Sequence, residues 1–373
     1  MDSSQKHTSN SMKTIIANVA RLSHLFTRQR ENLPLAYLKD AGLMEAYVSY
    51  YLPVNIQKIW VPLQELSVHP AKLLSQEKLR ILDLGCGPGT ASLGIMEFLS
   101  KMSITPRLEF IAIDQAVENF RELDALFLAR RNATRLKATM KTICFNIEDG
   151  TNLLEGHFDI IIFSNVLNEL FAKHKEWFYR RTDLICNVLR RLLHEDGSCI
   201  LIEPALRDTS RNLLFIRDAL LCQGFQIYSP CFFMGKCPAL INPKDWCHED
   251  TTWEPSPLVR EINKQTGLRK NSLKFSYLVL RKDRQSLRDA CGDKALRVVS
   301  EPLMSKGKVE FYLCGPSGRH LITRFNKDGT LANQAFEQLQ RGNIVSFEGL
   351  IKEEKRFKVS KETTVCRLSK NFR

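Results

Sequence analysis

Apolar residues in the first part of the chain recur every three or four positions, most clearly over Val54–Leu66 after Ala46–Pro53. That spacing predicts helices, so residues 1–75 read as a helical N-terminal region. From Lys78 the pattern changes to short apolar runs alternating with amphipathic stretches. Arg80–Leu84, Leu108–Ile113, Thr139–Phe145, Phe158–Phe163 and Ser198–Ile202 predict strands. Thr90–Lys101, Ala116–Ala133, Lys175–Leu193 and Arg207–Gln223 predict helices. Strands that are apolar throughout, alternating with helices, imply a parallel sheet covered on both faces. Phe225–Ser229 and Leu273–Arg281 add a sixth strand and an antiparallel seventh, bracketing an insertion over 230–268. The expectation for 76–285 is one seven-stranded α/β domain.

Beyond Asp293 the period shortens to two. Val309, Phe311 and Leu313 alternate with polar residues, as do Leu321, Thr323 and Phe325. Asn343–Ile351, Arg356–Val359 and Thr363–Leu368 continue the pattern after a helix-like stretch at Leu331–Arg341. Short strands around one helix predict a small β-barrel of OB-like type over 293–373.

Charge sharpens this division. From Ile262 to Arg373 there are 24 Lys/Arg and 11 Asp/Glu, which accounts for the whole net charge of +13. A basic module attached to a balanced one points to a polyanionic partner, most simply nucleic acid. No apolar run approaches the roughly 20 residues that span a bilayer, so no membrane role is expected. Met1–Arg30 is Ser-rich and nearly free of acids, which fits a mitochondrial presequence, although the stretch after Met12 reads better as a folded helix. The expected location is the cytoplasm of a bacterium, with the mitochondrial matrix as the alternative. Five of the 11 cysteines, Cys144, Cys186, Cys199, Cys222 and Cys366, sit in apolar contexts and are expected as small core residues.

The first predicted strand runs into Asp83-Leu84-Gly85-Cys86-Gly87-Pro88-Gly89-Thr90. A strand, a sharp glycine turn and a helix start form a nucleoside pocket in which the backbone can approach its ligand. Asp83 is placed to accept from a cationic amino-acid end, and Asp114, closing the second strand, to take two ribose hydroxyls. Asn146, after the third strand, lies where an adenine edge would be met, and Asn165, Asn168 and Glu169 line the mouth. The spacing Gly85-x-Gly87-x-Gly89 departs from the dinucleotide pattern and resembles the first motif of class I methyltransferases, which bind S-adenosylmethionine. Methyltransferases of exocyclic amines carry Asn/Asp-Pro-Pro-aromatic after the fourth strand. This chain has Ser164-Asn165-Val166-Leu167 there, and no catalytic base is identified.

Cys231, Cys237 and Cys247 fall within 17 residues, among Pro230, Gly235, Pro238 and Pro243. So little apolar content implies order supplied by a metal. Zinc and iron–sulfur clusters each want four ligands. Cys314, Cys291 and His248 are the candidates for the fourth, with Cys314 favoured in its tight turn. Paired Cys-x2-Cys knuckles are absent, so the wide gaps suit a 4Fe–4S cluster better than zinc. The Cys-x3-Cys-x2-Cys spacing of a radical enzyme is also missing.

Asp83–Thr90, Val166–Leu170, Glu203-Pro204, Cys231…Cys237-Pro238, Asp245-Trp246-Cys247-His248 and Phe275–Arg281 together resemble the methyltransferase-like assembly factors of the small ribosomal subunit, found in bacteria and mitochondria. The resemblance covers about residues 20–320. It implies a 4Fe–4S cluster on Cys231, Cys237, Cys247 and Cys314, association with small-subunit rRNA and the small ribosomal subunit with no DNA partner expected, and a role in ribosome maturation or translation. An active rRNA methyltransferase and a structural zinc site remain the alternatives. Phe232-Phe233, Ala205 and Glu249 depart from the family pattern, and Ala205 touches the cofactor face.

Overall fold

The computed structural model describes residues 3–29 and 37–368, with the side chains of 3–10 left aside. Most of Met1–Arg30 is a helix, Ser3–Thr27. The chain divides into two compact units. One holds residues up to 61, 75–184 and 252–273. The other holds 62–74, 185–251 and 274 onward.

In the first unit, β1 (Lys78–Leu84), β2 (Arg107–Asp114), β3 (Ala138–Cys144) and β4 (Phe158–Ser164) pair in parallel in the order β3-β2-β1-β4. Five of the seven residues in β1 and in β4 are buried, as strands covered on both faces require. The helices Thr90–Lys101 and Glu118–Thr134 follow β1 and β2. The prefix adds short helices and one π-helical turn, Tyr47–Tyr51.

In the second unit, β5 (Leu193–Pro204) and β6 (Gln226–Ser229) both pair antiparallel with β8 (Ser272–Arg281). The seven expected strands are all present, and the fold is the class I methyltransferase-like α/β type. An eighth strand, β7 (Glu249–Thr252), comes from the cysteine-rich insertion and pairs with β8. Its length of four residues leaves no alternation long enough to read in advance.

The same unit carries β9 (Leu296–Val298), β10 (Leu303–Ser305), β11 (Lys308–Gly315), β12 (Gly318–Phe325), β13 (Ile344–Glu348), β14 (Ile351–Lys352), β15 (Phe357–Val359) and β16 (Thr364–Arg367). Their order is β14-β15-β12-β11-β9-β13-β16, with β10 on β11. Val298, Phe311, Ile322, Phe347, Val359 and Val365 meet Phe336 in one core. Strands from both ends of the order supply that core, so the sheet wraps around it, as the alternating pattern implied.

Cys186 and Cys199 are buried as expected, but Cys144, Cys222 and Cys366 are exposed. Cys144 and Cys366 lie on strands at the ends of their sheet orders, and Cys222 ends a helix. An apolar local context cannot distinguish a central element from an outer one. Among the described residues no helix is long and apolar enough to cross a membrane.

Candidate cofactor pocket and cysteine site

At the end of β1 the backbone folds back on β2: the N–H groups of Gly85 and Cys86 both donate to Ile113 O, at 2.8 and 2.9 Å. Gly85 adopts φ +70° and Gly89 +83°. A Cβ would strike Val166 at the first and Leu123 at the second, so both need glycine for conformation and for space. Gly87 donates its N–H to Asp114 Oδ2 at 2.8 Å, and a Cβ there would meet nothing within 4 Å. The loop is therefore tight on its protein side and open at Gly87.

Asp114 also accepts from Ala116 N and Asn119 Nδ2, at 2.8 and 3.1 Å. Asn119 is buried, and its Oδ1 has no partner among the described residues. It lies in the first turn of the helix after β2, which a reading confined to acids and glycines passes over. Asp83 is 1 % exposed. Its Oδ2 accepts from Ser92 Oγ at 2.6 Å, while Oδ1 has no partner among the described residues. Burial pushes its carboxyl up to about 6, with the Asp114 charge adding to the shift and the Ser92 hydrogen bonds opposing it. A buried carboxylate with one oxygen unsatisfied fits a cationic ligand group.

Asn146 accepts Glu148 N at 3.1 Å, so its side chain caps the turn after β3 and leaves the backbone of that turn as the candidate adenine partner. Asn165 takes the left-handed conformation at φ +59°, which asparagine tolerates best among residues with a Cβ. Its carbonyl accepts Asn168 Nδ2 at 3.1 Å. The loop is fastened further by buried Arg181, which donates to Leu170 O at 2.6 Å and Asn168 O at 3.0 Å. Sequence reasoning assigned no part to Arg181, whose position in a long amphipathic helix resembles any solvated charge.

All four favoured cysteines belong to the second unit, and Cys231, Cys237, Cys247 and Cys314 line a single cavity of ≈ 60 Å³. Trp246, His248, Arg217, Arg297, Arg319 and Arg341 line it too. Arg217 donates to Phe233 O, Gly235 O and Asp218, and so holds the turn between Cys231 and Cys237. Burial pushes the Cys237 thiol up to about 12 and Cys247 up to about 11, and pushes Cys314 well above its ordinary value; the neighbouring cysteines add to each shift. Cys291 faces Glu65 and Arg297 instead, and is not among the residues lining the cavity. Among the described residues, no three His, Cys, Asp or Glu side chains are close enough to hold one metal ion. The four cysteines thus share the lining of one cavity without forming a single-ion site among the described residues.

The family model for mitochondrial small ribosomal subunit Rsm22 matches residues 44–341. The chain belongs to the Rsm22 family. No curated protein shows significant sequence similarity to it. Among solved structures, the plantazolicin methyltransferase BpumL, in complex with a monoazolic desmethylPZN analog and SAH, shares 12 % identity over 73 % of this chain and 98 % of its own, at TM-score 0.35. An rRNA methylase from Streptococcus thermophilus shares 12 % over 56 % and 92 %, at 0.29. A SAM-dependent methyltransferase from Thiobacillus denitrificans, in complex with S-adenosyl-L-homocysteine, shares 13 % over 61 % and 93 %, at 0.31.

Proposed function

We propose that this Rsm22-family chain is a mitochondrial matrix factor that associates with the small ribosomal subunit through its rRNA, binds S-adenosylmethionine at the glycine loop, and holds a 4Fe–4S cluster on Cys231, Cys237, Cys247 and Cys314. The observation that carries the metal part is that all four cysteines line one cavity. A volume of ≈ 60 Å³ is several times the roughly 10–15 Å³ that one water requires. An all-thiolate donor set around a space of that size favours a cluster over a single zinc ion, which would need the sulfurs at one tetrahedral point. The cluster would supply folding free energy to an insertion poor in apolar residues.

For the cofactor, Asp83 would meet the ammonium group, Asp114 the ribose hydroxyls, and the loop at Gly85, Gly87 and Gly89 the adjoining backbone. Asn146 and Asn165 would shape the two sides. Bound S-adenosylmethionine offers an electrophilic methyl group. No base has been assigned to use it, so the reading favoured is a cofactor that stabilises one conformation, with rRNA methylation as the alternative. Residues 293–373 are proposed as the RNA-binding module on the strength of their charge.

Anaerobic purification tests the metal: a broad absorption band near 400 nm with about four iron and four sulfide per chain is expected, and zinc alone would refute the cluster. Radiolabelled cofactor separates the two functional readings. Label appearing in rRNA, and lost in Asp83 or Asp114 variants that still join the subunit, would establish the enzyme. Co-sedimentation with the small subunit without labelling would support the assembly role.

A further inference from the structure

Three side chains that line the cysteine cavity each carry a buried nitrogen with no hydrogen-bond partner among the described residues: Arg217 Nε, Trp246 Nε1 and His248 Nδ1. Guanidinium and indole N–H groups can only donate, and an imidazole Nδ1 donates in one of its two neutral tautomers. By contrast, no buried side-chain oxygen on the lining residues lacks a partner among the described residues. The unmet demand at this cavity is therefore for an acceptor. A donor cut off from water with nothing to bond carries its full desolvation penalty, so three on one lining call for an occupant that accepts.

Other bonds hold these groups in place. Both Nη groups of Arg217 are taken up by Asp218 and by the carbonyls of Phe233 and Gly235, which leaves Nε. Trp246 and His248 flank Cys247 in sequence, and their rings stack on each other at 6.0 Å and 23°. The backbone of this segment is fixed from two sides: Ser276 Oγ donates to Cys247 O at 3.1 Å, and Arg341 Nη1 donates to His248 O at 3.3 Å. Donors locked by contacts other than the bond they offer stay in position when a ligand arrives.

Resting on the reading of Cys231, Cys237, Cys247 and Cys314 as ligands of a 4Fe–4S cluster, we infer that Trp246, Arg217 and His248 are hydrogen-bond donors to its sulfur atoms and raise its reduction potential. A cluster on four thiolates is anionic, and one electron taken from a low-potential reductant makes it more so. Hydrogen bonds to the sulfurs favour that more negative form. These side chains thereby suit the centre to hold an added electron, beyond the folding role proposed above.

The experiment is a dithionite titration of the anaerobically purified full chain, followed by electron paramagnetic resonance. Wild type is compared with Trp246→Phe and with Trp246→Phe/His248→Phe, and iron and sulfide are counted in each. Both substitutions keep an aromatic ring for the stack and remove the N–H. Trp246→Phe is expected to weaken reduction by about 3- to 10-fold, which is ~30–60 mV for one electron, and the double variant by more. An unchanged potential in both variants at full iron content overturns the donor set and leaves the cluster intact. A second readout does not depend on how well the variants keep iron. Wild type with nitrogen-15 in its indole rings should show nuclear coupling to the reduced cluster in double resonance, because Trp246 is the tryptophan that lines the cavity. Absence of that coupling overturns the assignment of Trp246. Zinc in place of iron in wild type would instead bring down the cluster reading itself, and this inference with it.

Discussion

The backbone N–H of Cys237 donates to the carboxylate of Asp218, at 3.0 Å to Oδ2 and 3.2 Å to Oδ1. Asp218 also pairs with buried Arg217, whose other bonds go to the carbonyls of Phe233 and Gly235. Two adjacent residues of one helix thus set the path of the chain from Cys231 to Cys237. Outer partners of metal ligands typically matter by 10–100-fold in affinity. Asp218→Ala is expected to lower iron retained per chain after chelator challenge by at least about tenfold, while S-adenosylmethionine affinity stays unchanged. Full iron retention in the variant would show that the turn holds itself.

At the other site the backbone itself is constrained. Gly85→Ala forces a Cβ into Val166 at φ +70°. A non-glycine residue in such a region costs about 1–3 kcal/mol, and the collision adds to it. Thermal unfolding should show a loss of at least about 2 kcal/mol, with cofactor binding abolished. Gly87→Ala meets nothing within 4 Å, so its stability loss should be the conformational part alone.

These two glycines show what could be read in advance. Loop position and glycine spacing are local, so the strand–loop–helix and its acids, Asp83 and Asp114, were legible. So were the parallel strands, because a strand buried on both faces is apolar throughout. Asn119 and Arg181 were not, since each reaches its site by tertiary packing and resembles an ordinary helical residue in sequence. Cys144, Cys222 and Cys366 depart from the expected burial for a related reason: their neighbours are apolar, but they lie on outer strands and at a helix end, where they are exposed. Among the cysteines, the clustered spacing of Cys231, Cys237 and Cys247 was legible, and the tight turn around Cys314 already favoured it as the fourth of the set.

Asp83 makes cofactor affinity depend on pH. Its folded pKa of about 6 lies above the ordinary 3.8, because burial disfavours the charged form. Its contribution to stability is therefore fully present below about pH 4 and is lost as pH rises through 6. A cationic ligand group reverses the preference, since it favours the ionised carboxylate. S-adenosylmethionine should bind tightly at pH 7.5 and weaken by up to about tenfold per unit below pH 6. Asp83→Asn removes this dependence, and its unfolding free energy relative to wild type should rise between pH 4 and 7 by on the order of 2–3 kcal/mol. A wild-type affinity that is flat from pH 5 to 7.5 would place the cation elsewhere.

Arg297 bridges two buried acids in the second unit. It donates to Glu65 Oε1 at 2.6 Å, to Glu249 Oε2 at 2.9 Å and to Tyr277 OH at 2.8 Å, and Tyr277 OH donates to Glu65 Oε2 at 2.7 Å. Removing the arginine strands two carboxylates in a low-dielectric interior. Arg297→Met should destabilise by about 3–5 kcal/mol in chemical denaturation. Adding Glu65→Gln and Glu249→Gln should recover much of that loss, because the stranded charges go with them. If the triple variant is no more stable than Arg297→Met, the cost lies in packing and not in charge.

The last test concerns the basic module. Lys327, Lys352, Lys355 and Lys361 are exposed in the barrel, where no burial restrains them from meeting phosphates. Each phosphate contact with single-stranded RNA steepens the dependence of log affinity on log salt by about 0.7. Replacing all four lysines by glutamine should weaken binding to small-subunit rRNA and flatten that slope by up to about 3. Surface lysines contribute little to folding, so thermal stability should move by no more than about 0.5 kcal/mol per site. A slope that stays the same while the chain still binds would move the RNA contact off these lysines and onto the remaining basic positions of the module.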